Sequence, residues 1–409
     1  MPIHDMAAPR PAHPVVYMLL VAPFGAMQGY VTVAIAYLLA REGLPVVAIA
    51  GLVGSISIPH SLKFLWAPLV DTTLSRKTWY LVSAVISALG IVAIGFVPAT
   101  ERSLPVLYAL VLISNFAVTF VSMSSMSIMA YDTPPEGKGR ASGWSQAGNL
   151  GGAGLGGGAG LWLAQKLPAP WMAGAVIAAA CLGCCAALLF VREPPPLPRG
   201  RHFGHDLAFV ARDLWTVAKS RTGMLGLLIC FLPLGTGAAS NLWSPIASDW
   251  HAGLITVAIA TGAMSGVITA AGCFIGGWWS DRMHRQGAYA LYGVLLALCA
   301  AGMAIAPRTE LMYVVFTSGY ALITGMCYAG WSAVTLEAIG TGAAATKYQT
   351  FSSLSNVPIG CMTVVDGWSQ TQWGSGSMLL VEAAIGIVAV GTFAAAAAAT
   401  RSRLRPAFN

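Results

Sequence analysis

Long apolar stretches that few polar residues interrupt make up most of this 409-residue chain. They lie near residues 14–39, 44–70, 78–98, 104–131, 141–165, 170–191, 222–248, 253–280, 288–306, 309–335, 343–365 and 376–400. Only 9% of the residues are charged, whereas a soluble domain carries about 25%. A helix needs about 20 apolar residues to cross a bilayer, where every backbone polar group must be hydrogen-bonded internally. The sequence therefore predicts an all-α polytopic membrane protein with about 12 transmembrane helices.

A short pattern of residues occurs twice, 210 positions apart. The stretch Ser61–Lys77 reads SLKFLWAPLVDTTLSRK, and the stretch from Cys273 reads CFIGGWWSDRMHRQG, so that Asp71 aligns with Asp281. The first six apolar stretches match the last six under the same offset. Doubled units in membrane proteins are typical of secondary transporters, whose substrate site lies between the repeats. We therefore expect two six-helix pseudo-repeats, at residues 1–191 and 222–409.

Residues 192–221 are expected to form a cytoplasmic linker between the two bundles. The linker opens with REPPPLPRGR, in which the prolines prevent a helix from continuing. It continues as DLAFVARDLWTVAKSR, in which one face is shared by Leu207, Val210, Leu214, Trp215 and Ala218. This pattern predicts an amphipathic helix at the membrane interface that ties the bundles together.

Basic residues are distributed unequally between alternate loops. The loops on one side of the predicted membrane hold most of the 22 Lys and Arg residues, and the opposite loops hold only Arg41, Arg102, Lys166 and Arg308. Because positively charged loops remain in the cytoplasm, both termini and the linker are predicted to be cytoplasmic. The net charge of +7 then reflects topology. Nucleic-acid binding would require a soluble basic module, and none is expected.

The cysteines and glycines do not form a recognisable cofactor site. All eight cysteines lie inside predicted spans, where no oxidising compartment reaches them, so no disulfide is expected. Cys181 and Cys184 have CxxC spacing without His or acidic neighbours, and we interpret them as packing residues. The fifth span, Ala147–Trp162, is rich in glycine, which permits close approach of neighbouring helices. No metal and no cofactor is expected.

The second copy of the repeated pattern contains the loop G-G-x-x-S-D-R-x-x-R, formed by Gly276, Gly277, Ser280, Asp281, Arg282 and Arg285. Together with the two six-helix halves and the linker, this loop resembles the major facilitator superfamily, where it follows the second helix of each half. Residues 62–71 (LKFLWAPLVD) and 345–354 (ATKYQTFSSL) resemble the AmpG-type muropeptide permeases. Their branch also includes acetyl-coenzyme A carriers and siderophore permeases. The resemblance implies the major facilitator fold and a place in the bacterial inner membrane.

The same resemblance implies a gating role for the loop acids. In that superfamily the loop acid caps a neighbouring helix and pairs with basic residues across the halves, which holds one gate state. We expect this role for Asp281 with Arg282 and Arg285, and also for Asp71, where TTLSRK replaces the usual glycine-bearing turn. A carboxylate is well placed at the positive N-terminus of a helix. A plain turn is the alternative for both acids.

Two ionisable residues lie deep inside the second span. Lys63 precedes Asp71 by eight residues, which puts it about 12 Å inside the cytoplasmic boundary. A charged group at such depth is a candidate for a substrate site, although a lysine can also snorkel toward the interface. His60 lies on the same helix face, and an imidazole titrates near neutral pH, as proton coupling requires. A neutral histidine bonded to nearby backbone is the alternative.

Uncharged polar and aromatic residues at similar depth complete the predicted substrate site. The polar residues are Gln28, Asn115, Gln146, Asn149, Asn241 and Asn356. As a set they favour a polar solute, although each alone is equally explained by interhelical hydrogen bonds. Trp144, Trp243 and Trp331 can stack on a solute, with helix packing as the alternative. Glu337, Asp366 and Glu382 lie near predicted span ends, where we expect solvent to stabilise their charges.

We expect a secondary active transporter that imports a medium-sized polar solute similar to a muropeptide, a siderophore or a coenzyme A ester. Coupling to protons and a monomeric state are expected, with the lipid bilayer as surroundings. The alternatives are an efflux antiporter driven by protons and an uncoupled facilitator. A membrane enzyme would need clustered acids, a metal set or an activated nucleophile, and the chain has only 15 acidic residues, mostly at loop edges.

Overall fold

The computed structural model describes residues 11–98, 100–195 and 203–402, and within these ranges it consists of helices and loops without any strand. The helices of the first part are α1 (Pro14–Arg41), α2 (46–72), α3 (Arg76–Phe96), α4 (Leu104–Asp132), α5 (Lys138–Lys166) and α6 (170–190). They are followed by α7 (Phe203–Lys219), α8 (221–250), α9 (254–280), α10 (Arg285–Ile305), α11 (Glu310–Ile339), α12 (344–373) and α13 (375–402). The predicted all-α polytopic fold is confirmed.

Hydroxyl side chains fix several helix starts. Ser75 accepts a hydrogen bond from the N–H of Thr78 at the start of α3, and Ser220 does the same for Gly223 at the start of α8. These side chains satisfy backbone donors that have no partner inside the helix. Gly374, with φ of 82°, separates α12 from α13. A positive φ is readily adopted only by glycine, so the chain bends there.

Eight helical stretches in the described part of the chain are long and apolar enough to cross a membrane, by length and composition. One of them, Ala344–Ala399, contains both α12 and α13. Three other predicted spans differ in character: α2 and α8 are broken, and α5 is rich in glycine. These three helices carry most of the residues predicted for the substrate site. Irregular backbone inside a membrane is tolerated where it lines a cavity.

The breaks in α2 and α8 lie at different places of the two repeats, because the offset of 210 aligns α2 with α9 and α8 with α1. In α2 a 3₁₀ turn, Lys63–Leu65, interrupts the α-helix. In α8 the break contains Gly235 and Gly237, whose φ angles are 66° and 69°. Because backbone groups at a break are not fully used within the helix, they remain available to line a polar site.

The glycines of α5 allow the backbone of that helix to approach two neighbours. α5 packs along α1 on one side and along α9 on the other. A Cβ atom added to Gly277 of α9 would lie 2.7 Å from Cα of Gly143, and one added to Gly266 would lie 2.8 Å from Cα of Gly154. Such distances exclude any side chain, so these glycines are required where the first and second halves meet.

The linker helix α7 contacts both parts of the chain. Its Val210 and Val217 are buried, whereas Trp215 is 62% exposed. The side chain of Leu207, part of the predicted apolar face, lies outside the described residues, as do residues 196–202 and both termini. Asp213, on the predicted polar face, forms an ion pair with Lys347 at 3.0 Å. The domain boundaries at 191 and 222 remain a prediction.

Candidate functional site

A cavity of about 1090 Å³, lined by both polar and apolar side chains, lies between the two halves. Nine of the eleven residues predicted for the substrate site line it, namely Gln28, His60, Lys63, Gln146, Asn149, Asn241, Trp243, Trp331 and Asn356. The wall is built from α1, α2, α4, α5, α8, α9, α10, α11 and α12. It extends to Leu161 and Thr261, at the end of the bundle opposite Asp71 and Asp281. We call the end with these two acids the gate end.

Lys63 is a cation on the cavity wall without a carboxylate partner. Its side chain is 5% exposed, and Nζ lies 5.7 Å from the centre of the Phe24 ring. Among the described residues, no acidic side chain lies within ion-pair distance of it. The face of an aromatic ring attracts a cation, which provides part of the missing stabilisation. An anionic group in the cavity can provide the rest.

His60 lies beside Lys63, as its position one turn earlier predicted. Its ring centre is 4.9 Å from that of Phe24, so that both residues contact the same aromatic side chain. The Nε2 atom of His60 is buried and has no hydrogen-bond partner in the described part of the chain. Asn115 faces His60 from α4 and does not line the cavity. Its Nδ2 donates to the carbonyl of Val111 in its own helix at 2.9 Å.

Hydrogen bonds between amide and hydroxyl side chains join helices of the cavity wall. Asn149 Nδ2 donates to Gln146 Oε1 at 3.2 Å, and Gln146 Nε2 donates to the hydroxyl of Tyr348 at 3.4 Å. Asn241 Nδ2 donates to Thr363 Oγ1 at 2.9 Å. Because these amides bridge α5 to α12 and α8 to α12, a solute that hydrogen-bonds to them contacts both halves at once.

The three predicted tryptophans occupy different places. Trp331 lines the cavity and packs edge-on against Tyr348, with ring centres 5.7 Å apart. Trp243 lines the cavity beside Tyr320 at 5.1 Å. Trp144 lies away from the cavity and packs against Phe274 of α9, with ring centres 4.6 Å apart. Its role is packing between the halves, which was the alternative interpretation.

At the gate end, each loop acid caps a helix of the opposite half. Asp71 accepts hydrogen bonds from the N–H groups of Ala345 at 3.3 Å and Thr346 at 2.8 Å, at the start of α12. Asp281 accepts them from Gly139 at 2.7 Å and Arg140 at 2.8 Å, at the start of α5. A carboxylate at a helix N-terminus meets both free donors and the positive end of the helix dipole.

Basic residues reinforce these caps to different degrees. Arg76 lies 3.7 Å from Asp71, and Arg285 lies 3.6 Å from Asp281. Arg285 also pairs with the exposed Glu337 at 3.1 Å and donates to the carbonyl of Pro135 in the first half. Arg282 instead stacks on Trp278 of its own helix, with its guanidinium 3.5 Å from the ring centre. Of the two predicted arginines, only Arg285 contacts the opposite half in the described contacts.

Three further residues form contacts at the gate end and were not predicted to belong to the site. The Tyr131 hydroxyl donates to the carbonyl of Gly342 and accepts from its N–H. Lys138 Nζ donates to the carbonyl of Leu336 at 2.8 Å, and Lys347 joins the linker through Asp213. Lys138 and Lys347 occupy equivalent places in the two repeats, separated by an offset of 209. That equivalence is the sequence signal that could have indicated a role for them.

The interpretation of Asp366 and Glu382 as solvated residues is wrong. Asp366 is fully buried and Glu382 is 7% exposed, whereas the Glu337 side chain is 43% exposed as expected. α12 continues to residue 373, beyond the predicted span end at 365, so that Asp366 lies inside the helix. A sequence-based prediction that ends a membrane span at the first acidic residue cannot detect an acidic residue that is buried inside the span.

A cavity between two bundles of membrane helices, closed at one end by reciprocal helix caps, is the arrangement of a membrane transport protein. The model of the Major Facilitator Superfamily matches residues 17–360, and the chain belongs to this superfamily. The resemblance seen in the sequence is confirmed.

Known relatives agree with this assignment. Over 332 residues the chain is 25% identical to the anhydromuropeptide permease of Escherichia coli strain K12, a match that covers 76% of this chain. The chain spans less than two thirds of that permease, 64% of its length. The crystal structures of the E. coli fucose:proton symporter FucP and the human organic anion transporter MFSD10 each superpose with a TM-score of 0.68. Each covers 93% of this chain and 98% of its own, at 14% and 18% identity respectively, which shows the fold.

Proposed function

We propose that the protein is a secondary active transporter that imports a medium-sized, anionic, polar solute across the bacterial inner membrane. The observation that carries this proposal is Lys63, a cation on the cavity wall with no acidic partner among the described residues. A lysine inside a membrane is costly unless it lines a wet cavity or finds a counter-charge. A carboxylate or phosphate of the solute supplies that counter-charge.

The size and lining of the cavity support a solute larger than a single sugar or amino acid. Its volume of about 1090 Å³ lies just above the range of about 300–1,000 Å³ for small-molecule sites. Amide side chains offer donors and acceptors, and Trp331 and Tyr348 offer faces for stacking. A muropeptide, a siderophore and a coenzyme A ester all meet these requirements. The similarity to the anhydromuropeptide permease favours the first of these.

The reciprocal caps support an alternating-access cycle. In this structure they close the gate end, while the cavity extends toward the opposite end. Transport requires both caps to break and the opposite end to close. We further propose that the protein is a monomer and that both termini and the linker are cytoplasmic, in which case the gate end is the cytoplasmic end and the cavity faces outward.

Proton coupling is proposed through His60, which lies beside Lys63 on the same cavity wall. Protonation of the imidazole next to a lysine adds a second positive charge, which favours binding of an anion. Symport follows if the solute and the proton leave together. Efflux by antiport and uncoupled facilitation remain the alternatives, and a transport assay separates them.

The proposal is tested with purified protein in liposomes and a radiolabelled anhydromuropeptide. We expect uptake that rises when the outside is made acidic and that collapses when an ionophore removes the pH gradient. Uptake that ignores the gradient would identify a facilitator, and uptake that an opposite gradient drives would identify an antiporter. Binding of a siderophore or a coenzyme A ester, without any binding of the anhydromuropeptide, would change the proposed class of solute.

A further inference from the structure

Two buried carboxylates face each other across the α12–α13 hairpin. Asp366 precedes Gly374 by eight residues and Glu382 follows it by eight, so each lies about 12 Å along its helix from the bend. The bend lies at the outer end of α8, where the Ser375 hydroxyl contacts Asp249 and Arg308.

Contacts with α8 show that the two acids lie at similar depth. Thr363 in α12 is hydrogen-bonded to Asn241, and Glu382 in α13 is hydrogen-bonded to the N–H of Ala239. Asn241 and Ala239 are two residues apart in α8. The chain therefore reverses at Gly374, and Asp366 and Glu382 lie at similar depth on the two helices of the hairpin.

The hydrogen bonds around this pair are incomplete. Oε1 of Glu382 accepts from the Tyr320 hydroxyl and from the N–H of Ala239. Its Oε2 and both oxygens of Asp366 are buried without any hydrogen-bond partner in the described structure. Ser369, one turn after Asp366 on the same face of α12, is fully buried and its Oγ is also unpartnered. Four oxygen atoms on facing helices thus lack a partner.

No described cation compensates these two acids. The titratable groups around them are Tyr320 and Cys327 on α11 and Cys299 on α10. Arg308, at the nearby helix end, is occupied by the Ser375 hydroxyl and by the ring of Trp250 at 3.9 Å. Two adjacent buried carboxylates without a cation cannot both remain ionised, because desolvation and mutual repulsion both oppose it.

We propose that Asp366 and Glu382 form a proton-binding site, separate from His60, in which one proton is held between the two carboxylates. The two donors on Glu382 Oε1 favour the ionised form of Glu382, so the proton resides on Asp366 and its O–H donates to Glu382 Oε2. Binding adds one proton to the Asp366 carboxylate and breaks no other covalent bond.

The site is connected to the cavity but is not part of its wall. Neither carboxylate lines the cavity, whereas Thr363, one turn before Asp366, lines it and is hydrogen-bonded to Asn241. Loss of the proton would place two negative charges between α12 and α13 and push these helices apart. This role in coupling rests on the proposed transport function, while the existence of the site does not.

Infrared spectroscopy of the purified full-length protein tests the site without a substrate. At pH 7 we expect the carbonyl stretch of a protonated carboxylic acid, which exposed acids do not give because their pKa is about 4. Asp366→Asn should abolish this band, and Glu382→Gln should shift it. Glu101→Gln, at an exposed position in a loop, is the matched control and should leave it unchanged.

Several outcomes would overturn the proposal. The absence of the band from the wild-type protein at pH 7 would do so without any variant, even if Asp366→Asn failed to fold. Persistence of the band in a folded Asp366→Asn protein would do the same. Loss of the band on addition of sodium chloride, but not of choline chloride, would identify a monovalent metal site in place of a proton site.

Transport of radiolabelled anhydromuropeptide separates this inference from the proposed function. Asp366→Asn should reduce stimulation of uptake by an imposed pH gradient at least tenfold, with efflux-driven exchange retained. If the band is present but wild-type uptake ignores the gradient, the coupling proposal fails and the site stands. If uptake depends on the gradient equally in both proteins, the role of the site in coupling is overturned, while the infrared band alone decides whether the site exists.

Discussion

A single uncompensated charge distinguishes Lys63 from the other residues of the cavity wall. Lys63→Ala removes a charge-assisted contact, which contributes about 1.5–3 kcal/mol. We therefore expect the affinity for an anionic solute to fall roughly 10-fold to 100-fold, and uptake to be abolished, while insertion into the membrane is unchanged. Lys63→Arg should restore transport poorly, because a planar guanidinium does not reproduce a compact ammonium.

Binding of radiolabelled anhydromuropeptide to detergent-purified protein measures the Lys63 effect. Lys166→Ala is the matched control, since Lys166 is exposed at the end of α5 and does not line the cavity. Equal affinity in the Lys63→Ala protein and the control would show that the lysine is structural.

His60 lies close enough to Lys63 for its charge to act on the same solute group. We expect His60→Ala to weaken the dependence of uptake on an imposed pH gradient more than it weakens solute binding. The reason is that a neutral imidazole contributes little to anion binding, whereas its protonation adds a charge. Liposome uptake at several external pH values provides the measurement, and an unaltered pH profile would remove His60 from the coupling scheme.

From the sequence, the depth of a residue along its membrane helix could be predicted better than the direction in which its side chain points. Lys63 and His60 could be placed because their distance from Asp71 is countable and their spacing puts them on one face. Trp144 and Asn115 have similar depth but do not line the cavity, because Trp144 packs against α9 and Asn115 lies behind His60. Which side of a helix faces the cavity depends on packing between the halves, and all sides of a membrane helix are apolar enough to conceal it.

Reciprocal capping makes α5 and α12 equivalent elements of the gate. Asp281→Asn keeps the shape of the side chain but removes the charge that stabilises the start of α5. We expect this variant to slow or trap the conformational cycle and to leave solute affinity within about twofold, because Asp281 does not line the cavity. Asp71→Asn should act in the same direction through α12.

Solute counterflow and equilibrium binding, measured on the same preparation, test the gate assignment. A large loss of affinity with normal turnover would contradict it. The predicted loop motif identified both acids but could not reveal that each one caps a helix of the opposite half. That arrangement depends on long-range contacts, between residues 71 and 346 and between residues 139 and 281.

The helix breaks and the α12–α13 hairpin lay at the limit of sequence-based reasoning. The 3₁₀ turn Lys63–Leu65 in α2 is followed by Pro68, which cannot donate to the carbonyl of Phe64, but the prediction of the second span did not use this local signal. Gly374 gave no clear signal among neighbouring glycines and serines, so the end of α12 was placed too early and Asp366 was interpreted as solvated. A charged residue buried against another charged residue contradicts the solvation rule on which span prediction depends.

At the scale of the whole molecule, charge asymmetry predicts the orientation of the bundle. A reporter that works only in the cytoplasm should be active when it is fused after Asn409. A reporter that works only in the periplasm should be silent at the same place. The outer loop at Glu101 is the matched position, where the opposite result is expected. A periplasmic C-terminus would invert the cytoplasmic assignment of the gate end and with it the direction of transport.

The glycine contacts between α5 and α9 offer a pivot about which one half of the molecule can rotate against the other. Gly154 and Gly143 are 11 residues apart in α5, which corresponds to about 16 Å along the helix axis. If one half rotates on the other about the contact of Gly154 with Gly266, a turn of about 10° moves the contact of Gly143 with Gly277 by roughly 3 Å. A displacement of this size, added to the present distances of 2.7 Å and 2.8 Å, breaks the hydrogen bonds from Gly139 and Arg140 to Asp281. A small rotation of one half about this contact would therefore release the Asp281 cap completely, so the gate would open in one step and not gradually.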